Sequence, residues 1–530
     1  MKGFYQKISQ ILEDIIKKEY EVELDPPLWE VPSRQDFGDL STMVSLKLAS
    51  KLKKDPLEVA TNLKTILEGK KDKSIEKIEI IKPGFVNIFF AKNALINSLN
   101  ELIESREKFF RRSIKKKVIL EFLSANPTGP LSIAHGRQAV VGDCLGNILD
   151  FCGADVEREY YVNDAGKQLE LFIRSVEERI KEIKGENFQI PEGGYQGEYV
   201  KDVAKAVIEA NPKDPKRFAL DYVLGWIKKD LKDLGIEFDT WTSQQKIIDD
   251  KKIEKVINEL KGKDLIYEKE DALWFSSTKF GDDKDRVIKK NDGELTYFAS
   301  DIAYHEDKIN RGANELINLW GPDHHGYIER VKSAIEALGY EKNILKVIII
   351  QLVTLKSKEK MSKRKGTAIL LSELVKEVGK DTTRFYYLTR KNSSHLDFDI
   401  DLAKATSFDN PLYYIQYSCA RIESIFEKAQ DKKADPECSE FLKSEEELCL
   451  LRALLQFSYT LEKAYYSLEP VFIIEYLKSI AALFHKFYET NRVLGESENV
   501  EAARLNLLKA TRIVLHCGLA LLGITPAKKM

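Results

Sequence analysis

A doubly wound parallel α/β sheet, preceded by an α+β module and followed by an all-α bundle, is the architecture this sequence predicts. Three observations point to it. From about residue 113, short apolar β-rich runs alternate with segments of helical spacing, the pattern of strand–helix–strand units. Before that point, helical segments accompany a strand pair joined at Pro83-Gly84. After about residue 397, long amphipathic helical segments take over. The expected domains are therefore 1–112, 113–396 with an insertion at about 163–290, and 397–530.

The first domain opens on a helix with Phe4, Ile8, Ile11, Leu12 and Ile15 on one face. A loop at Asp25-Pro26-Pro27 leads to the turn Phe37-Gly38-Asp39-Leu40-Ser41, where Ser41 is expected to cap a second helix. A helix over residues 56–67 carries Pro56 in its first turn. Strands are expected over 78–81 and 85–90, then a helix over 92–105 and a basic link over 108–117. The lysine-covered rim has two readings, a solvated surface or the binding face for an acidic partner.

The second domain starts with the buried run Val118-Ile119-Leu120, continuing to Phe122 and Leu123. A Pro/Gly loop follows, Asn126-Pro127-Thr128-Gly129-Pro130. From His135 to Cys152, Val141, Leu145, Ile148 and Leu149 keep helical spacing, and Gly153 closes the helix. A strand, a loop and a helix N-terminus with small and cationic residues form a phosphate-binding arrangement, because first-turn N–H groups are unpaired there. Gly136 would let a nucleotide approach the backbone, with His135 and Arg137 adding hydrogen bonds or charge. The alternative is an ordinary strand-to-helix turn. A second strand, Val156 to Val162, ends in Asn163-Asp164-Ala165-Gly166. Helical segments from Lys167 to about Leu234 and small strands near Trp241, 265–267 and 273–275 form the insertion. A hairpin around Asn291-Asp292-Gly293 leads to the segment 296–305. The buried strand 316–320 then ends in Gly321-Pro322-Asp323-His324-His325-Gly326. One further strand, Val347 continuing to Leu355, runs into the basic loop 357–367.

From about Asp397 onward the chain reads as helical, with long segments over 445–468, 471–494 and 499–522. Tyr413, Tyr414, Tyr417 and Arg421 combine aromatic and basic character, suited to stacking on bases or to core packing.

Composition sets outer bounds. At 530 residues, 43% hydrophobic and 32% charged, the chain is a multidomain globular protein. No apolar run approaches the roughly 20 residues of a membrane helix, and the N-terminus lacks a signal core. A cytoplasmic, membrane-free protein is expected. The six cysteines are scattered without metal-type spacing, so neither a disulfide frame nor a zinc site is expected. His324 and His325 lack a third ligand near in sequence except His305, and the expected metal set is none. The net charge of −2 gives no bulk sign of nucleic acid, so any RNA surface must be a local patch.

Two segments carry a family resemblance. Ser132-Ile133-Ala134-His135 with Gly136, and Lys360-Met361-Ser362-Lys363, resemble the paired HIGH and KMSKS signatures of class I aminoacyl-tRNA synthetases. The ANPTGP, NDAG and DIAYH segments, the FGDLS turn and the KPGFVNIFF hairpin resemble arginyl-tRNA synthetases throughout the chain. That resemblance implies a Rossmann-like catalytic domain, an N-terminal domain that meets the D-loop corner of tRNA, and a helical anticodon-binding domain. It implies ATP with Mg2+ and L-arginine as substrates, tRNA(Arg) as partner, and a monomer.

By the same resemblance His135, Lys360 and Lys363 are catalytic. Pro130, Ser132, Ala134, His135, Gly136, Met361, Ser362 and Lys363 hold ATP. Glu121, Ser124, Asn126, Tyr297, Asp301 and His325 bind arginine, and Tyr413, Tyr417 and Arg421 contact tRNA. The chemistry asks for such groups: adenylate formation needs alignment and cations rather than a protein nucleophile, and a guanidinium fork needs carboxylates. The signature departs from its family form at Ser132 and Ala134, where a histidine and a glycine are usual. Another class I synthetase, or a non-catalytic tRNA-binding paralogue, is the alternative.

Overall fold

The computed structural model describes residues 4–32, 34–70, 72–356, 369–429 and 435–530, without the side chains of Phe4 and Gln35. They divide into two compact units, one of residues 1–112 with 405–530 and one of residues 113–404. Thus the first and third expected domains pack as a single unit.

That unit joins a small sheet to a helical bundle. Its antiparallel sheet has the order Leu40–Thr42, Phe85–Phe90, Ile75–Ile81. Ser41 lies in the first of these strands and donates to Asn87 Oδ1 at 2.6 Å. It does not cap a helix; the Thr42 hydroxyl accepts the Val44 N–H at the start of Val44–Leu52 instead. Asp55 caps Pro56–Gly69 through two backbone N–H groups. The bundle comprises Pro411–Ala429, Glu445–Leu455, Phe457–Ser467, Val471–Thr490 and Glu498–Leu521. Lys92–Ser105 packs against the last of these. The expected 445–468 helix is broken at Gln456. Arg112 pairs with the nearly inaccessible Glu462 at 2.5 Å, and Phe110 and Phe457, both at 0% exposure, meet edge to face.

The other unit is built on a five-stranded parallel sheet. Its spatial order is Leu345–Ile349, Glu315–Trp320, Lys117–Glu121, Asp155–Val162, Thr240–Ser243. The chain starts in the middle, winds one way, then crosses back and winds the other. The switch therefore falls between Lys117–Glu121 and Glu315–Trp320, where open α/β sheets form crevices at the carboxyl ends of their strands. Both strands are almost wholly buried, which is why they read as continuous apolar runs. The insertion supplies the helices Lys167–Lys184, Glu198–Ala210 and Pro215–Asp233. An antiparallel sheet of Ile266–Lys269, Ala272–Phe275 and Arg286–Lys289 follows.

Two boundaries differ from expectation. The run from Val347 to Leu355 is two strands: Leu345–Ile349 stays in the main sheet, and Val353–Lys356 pairs in parallel with Leu396–Asp399. Leu352 between them is 55% exposed. Residues 397–399 are accordingly strand, with Leu396 and Phe398 alternating inward, and helix begins at Ile400.

Candidate active site

A cavity of about 680 Å³ opens at the switch point. Its wall includes Glu121, Ser124 and Asn126 from the end of the first strand, and Asn318, Trp320 and Gly321 from the end of the fourth. His135, Tyr297 and Asp301 complete the meeting of expected residues.

The backbone turns sharply after Glu121. Leu123 and Ser124 both have positive φ, 71° and 39°, a conformation L-residues adopt rarely. Local bonds hold it: Ser124 Oγ donates to Glu121 Oε1 at 3.0 Å and accepts the Tyr161 N–H at 3.1 Å. Asn126 Nδ2 donates to Gln168 Oε1 at 2.5 Å, tying the loop to the Lys167–Lys184 helix. Gly166, with φ 91°, precedes that helix; a Cβ there would lie 3.0 Å from the Tyr297 hydroxyl. Glycine thus lets the NDAG turn meet Tyr297, which is itself 57% exposed.

His135 stands in the first turn of Ile133–Phe151 and lines the cavity. Its Nδ1 accepts the Ser132 backbone N–H at 3.1 Å, which leaves the proton on Nε2. Burial lowers its pKa, so a neutral ring faces the crevice with an N–H donor that has no partner among the described residues. Pro130, Ser132, Ala134 and Gly136 do not line the cavity.

Packing gives Gly136 and Arg137 structural roles at this helix. A Cβ on Gly136 would lie 2.5 Å from Leu371 Cδ1 and 2.8 Å from the Tyr387 hydroxyl, so close packing of protein also asks for glycine here. Arg137 is fully buried, and its guanidinium donates to the carbonyls of Gln351, Ser394 and Lys391 at 3.0, 2.7 and 2.9 Å. It binds the helix to the neighbouring strand connections.

Asp301 is the fifth residue of Tyr297–Asn310, whose N-cap is Thr296. It is therefore not a capping residue. Burial raises its pKa to about 7; the Tyr327 hydroxyl, which donates to it, opposes this, Glu121 adds to it, and Lys308 and Arg330 oppose it. Glu121 forms an ion pair with Lys308 at 2.5 Å. The exposed His325 does not line the cavity, whereas its neighbour His324 does. Among the described residues, no group of three or more His, Cys, Asp or Glu is placed to hold a metal ion. Lys360, Met361, Ser362 and Lys363 lie outside the described residues.

Tyr161, Tyr327 and Lys308 were not signalled by the sequence. Tyr161 stacks near Tyr304 at 4.3 Å and lines the cavity, and its buried hydroxyl has no hydrogen-bond partner among the described residues. A tyrosine at the inner end of a buried strand reads as core, and nothing local marks it otherwise.

In the helical bundle, Arg421 donates to the Tyr417 hydroxyl at 2.7 Å and lies over the Tyr417 and Tyr488 rings. Phe408, 57% exposed, has its ring against Tyr413, Tyr414 and Tyr417. Tyr417 and Arg421 also line a cavity of about 350 Å³ with Lys528, Lys529 and Met530.

A doubly wound parallel sheet with a helix N-terminus and an acidic crevice at its switch point is the setting of class I nucleotide chemistry. Residues 98–400 match the family described as tRNA synthetases class I (R), catalytic domain, so this is a class I aminoacyl-tRNA synthetase fold. Residues 4–90 match the Arginyl tRNA synthetase N terminal domain, and residues 415–530 match the DALR anticodon binding domain. An arginine–tRNA ligase of Carboxydothermus hydrogenoformans is 42% identical over 94% of this chain and 94% of its own length. One from Thermotoga maritima is 40% identical over 99% of both chains. The solved structure titled a putative arginyl-tRNA synthetase from Campylobacter jejuni has a TM-score of 0.76 and 36% identity, over 83% of this chain and 100% of that one. The chain belongs to the arginyl-tRNA synthetase family.

Proposed function

We propose that this protein attaches L-arginine to its cognate tRNA at the expense of ATP. The arginine carboxylate attacks the α-phosphate, pyrophosphate leaves, and the 2′-hydroxyl of the terminal adenosine then takes the aminoacyl group. The observation that carries this reading is the convergence of Asp301, Tyr297 and Glu121 with His135 on one cavity.

In that cavity Asp301 and Tyr297 receive the guanidinium, the carboxylate accepting its N–H donors. Glu121, Ser124 and Asn126 take the α-amino and carboxylate end. His135, neutral and donating through Nε2, holds the ATP phosphates. Lys360 and Lys363 neutralise charge growing on the α-phosphate and pyrophosphate. Mg2+ accompanying ATP would add positive charge against the phosphates. Tyr413, Tyr417 and Arg421 meet tRNA bases by stacking and cation–π contact.

Arginine-dependent ATP–pyrophosphate exchange, run with and without tRNA, tests the reading. Exchange that requires arginine and tRNA together is expected. Exchange driven equally by another amino acid would reject it.

A further inference from the structure

Lys308 is fully buried, at 0% side-chain exposure. A charge so placed is tolerated only with partners. Its Nζ donates to Glu121 Oε2 at 2.5 Å and to Asn318 Oδ1 at 3.2 Å, and stands 4.1 Å from the centre of the Tyr304 ring. Glu121, Asn318, His305 and Asp301 line the cavity; Lys308 lies behind them.

The direction of each bond follows from one fact: an ammonium has donors and no acceptor. Asn318 must turn its carbonyl oxygen to Lys308. Its amide nitrogen then faces His305 Nε2 at 3.0 Å and donates to it. With Nε2 accepting, the proton of the neutral ring sits on Nδ1. That N–H points to the main-chain carbonyl of Asp301, 2.8 Å away. Burial, assisted by the Lys308 charge, pushes the His305 pKa down to about 3, so the ring stays neutral. One cation thus sets the polarity of a relay that touches Glu121 at one end and the backbone of Asp301 at the other.

We infer that Lys308 is a positioning residue for arginine, orienting Glu121 directly and Asp301 through Asn318 and His305. This rests on Glu121 and Asp301 being arginine contacts. Lys308 never meets the substrate. It fixes the spacing of two acidic groups that must grip opposite ends of one amino acid, and an error of about 1 Å in such spacing is costly to catalysis.

Lys308→Met keeps the stem and removes the charge and donors. In tRNA-charging assays its KM for arginine is expected to rise about tenfold or more, the scale of a lost charge-assisted bond, with KM for ATP near the wild-type value. In 15N-histidine-labelled protein, His305 should change from a single Nε2-unprotonated form to a mixture of tautomers. Its signal is assigned from a His305→Gln sample. An unchanged arginine KM with the wild-type His305 signature would overturn the inference, as would parallel rises in the KM for arginine, ATP and tRNA. Glu121→Gln separates the two claims. If it weakens arginine binding while Lys308→Met does not, only the Lys308 inference falls; if it leaves arginine KM unchanged, the pocket reading falls and takes the inference with it. Should Lys308→Met not fold, the double variant with Glu121→Gln removes both charges. Arginine KM and His305 signature equal to those of Glu121→Gln alone would then overturn the inference, and a further rise in KM with mixed tautomers would support it.

Discussion

The Tyr327 hydroxyl donates a hydrogen bond to the Asp301 carboxylate, joining the end of the turn Pro322–Tyr327 to the helix Tyr297–Asn310. Burial, reinforced by the neighbouring Asp301 charge, raises the pKa of Tyr327, so the hydroxyl keeps the proton it donates to the carboxylate. Tyr327→Phe removes it and leaves the ring packing. Arginine KM in charging assays is expected to rise about tenfold, since hydrogen bonds to charged groups are worth ~1.5–3 kcal/mol. An arginine KM equal to wild type would show that the bond does not serve the substrate.

Charging should depend on pH through Asp301, whose pKa burial raises to about 7. Tyr327, Lys308 and Arg330 oppose that rise and Glu121 adds to it. On the proposed role of Asp301, the carboxylate that would receive the guanidinium is present above pH 7. Below it, arginine KM is expected to climb by about tenfold per pH unit, as for one titrating group. A KM flat from pH 6 to 8 would contradict this.

The same shift has a consequence for stability. Between the ordinary carboxylate range and pH 7, the folded protein holds a proton at Asp301 that the unfolded chain releases. This contribution is full at low pH and is lost as pH rises through 7. Asp301→Asn should therefore be more stable than wild type at pH 8, with the difference shrinking toward pH 4. Urea unfolding at the two ends of that range checks the sign.

Arg137 gives a contrasting case. Its buried guanidinium serves three main-chain carbonyls, so Arg137→Met removes three bonds from a charged donor, worth ~1.5–3 kcal/mol each. Thermal unfolding should reveal a loss of several kcal/mol, while the folded enzyme keeps an arginine KM near the wild-type value. An Arg137→Met protein as stable as wild type, with weakened ATP binding, would return this residue to the nucleotide.

These cases mark what the sequence can and cannot carry. The strands ending at Glu121 and Trp320 were legible because parallel strands buried on both faces are continuous apolar runs. Asp301 and Glu121 were legible through a family pattern around them. Lys308 was not: within HEDKIN it reads as a solvated helix position, and it becomes internal only because the chain brings Glu121, 187 residues away, on top of it. Gly136 and Arg137 have the residue types of a phosphate loop, and only packing against Leu371, Tyr387 and three distant carbonyls reveals their structural use. That His324 lines the cavity and His325 does not turns on which way a short 3-10 turn faces, which adjacent identical residues cannot signal.

The signature departures at Ser132 and Ala134 carry a prediction of their own. Neither residue lines the cavity, and the lysine loop is complete in sequence. Ser132→His is expected to keep activity, whereas Lys363→Ala loses on the order of 10²-fold in kcat, as for one lost transition-state donor. Comparable steady-state charging by wild type and Lys363→Ala would reject that role.

The most direct test is charging of tRNA with L-arginine and with L-citrulline, by wild type and by Asp301→Asn. A pocket built on a buried carboxylate should accept arginine and exclude the neutral isostere by several orders of magnitude, and Asp301→Asn should lose most of its arginine charging. Citrulline accepted as well as arginine by wild type, or arginine charged at the wild-type rate by Asp301→Asn, would contradict the placement of the guanidinium against Asp301.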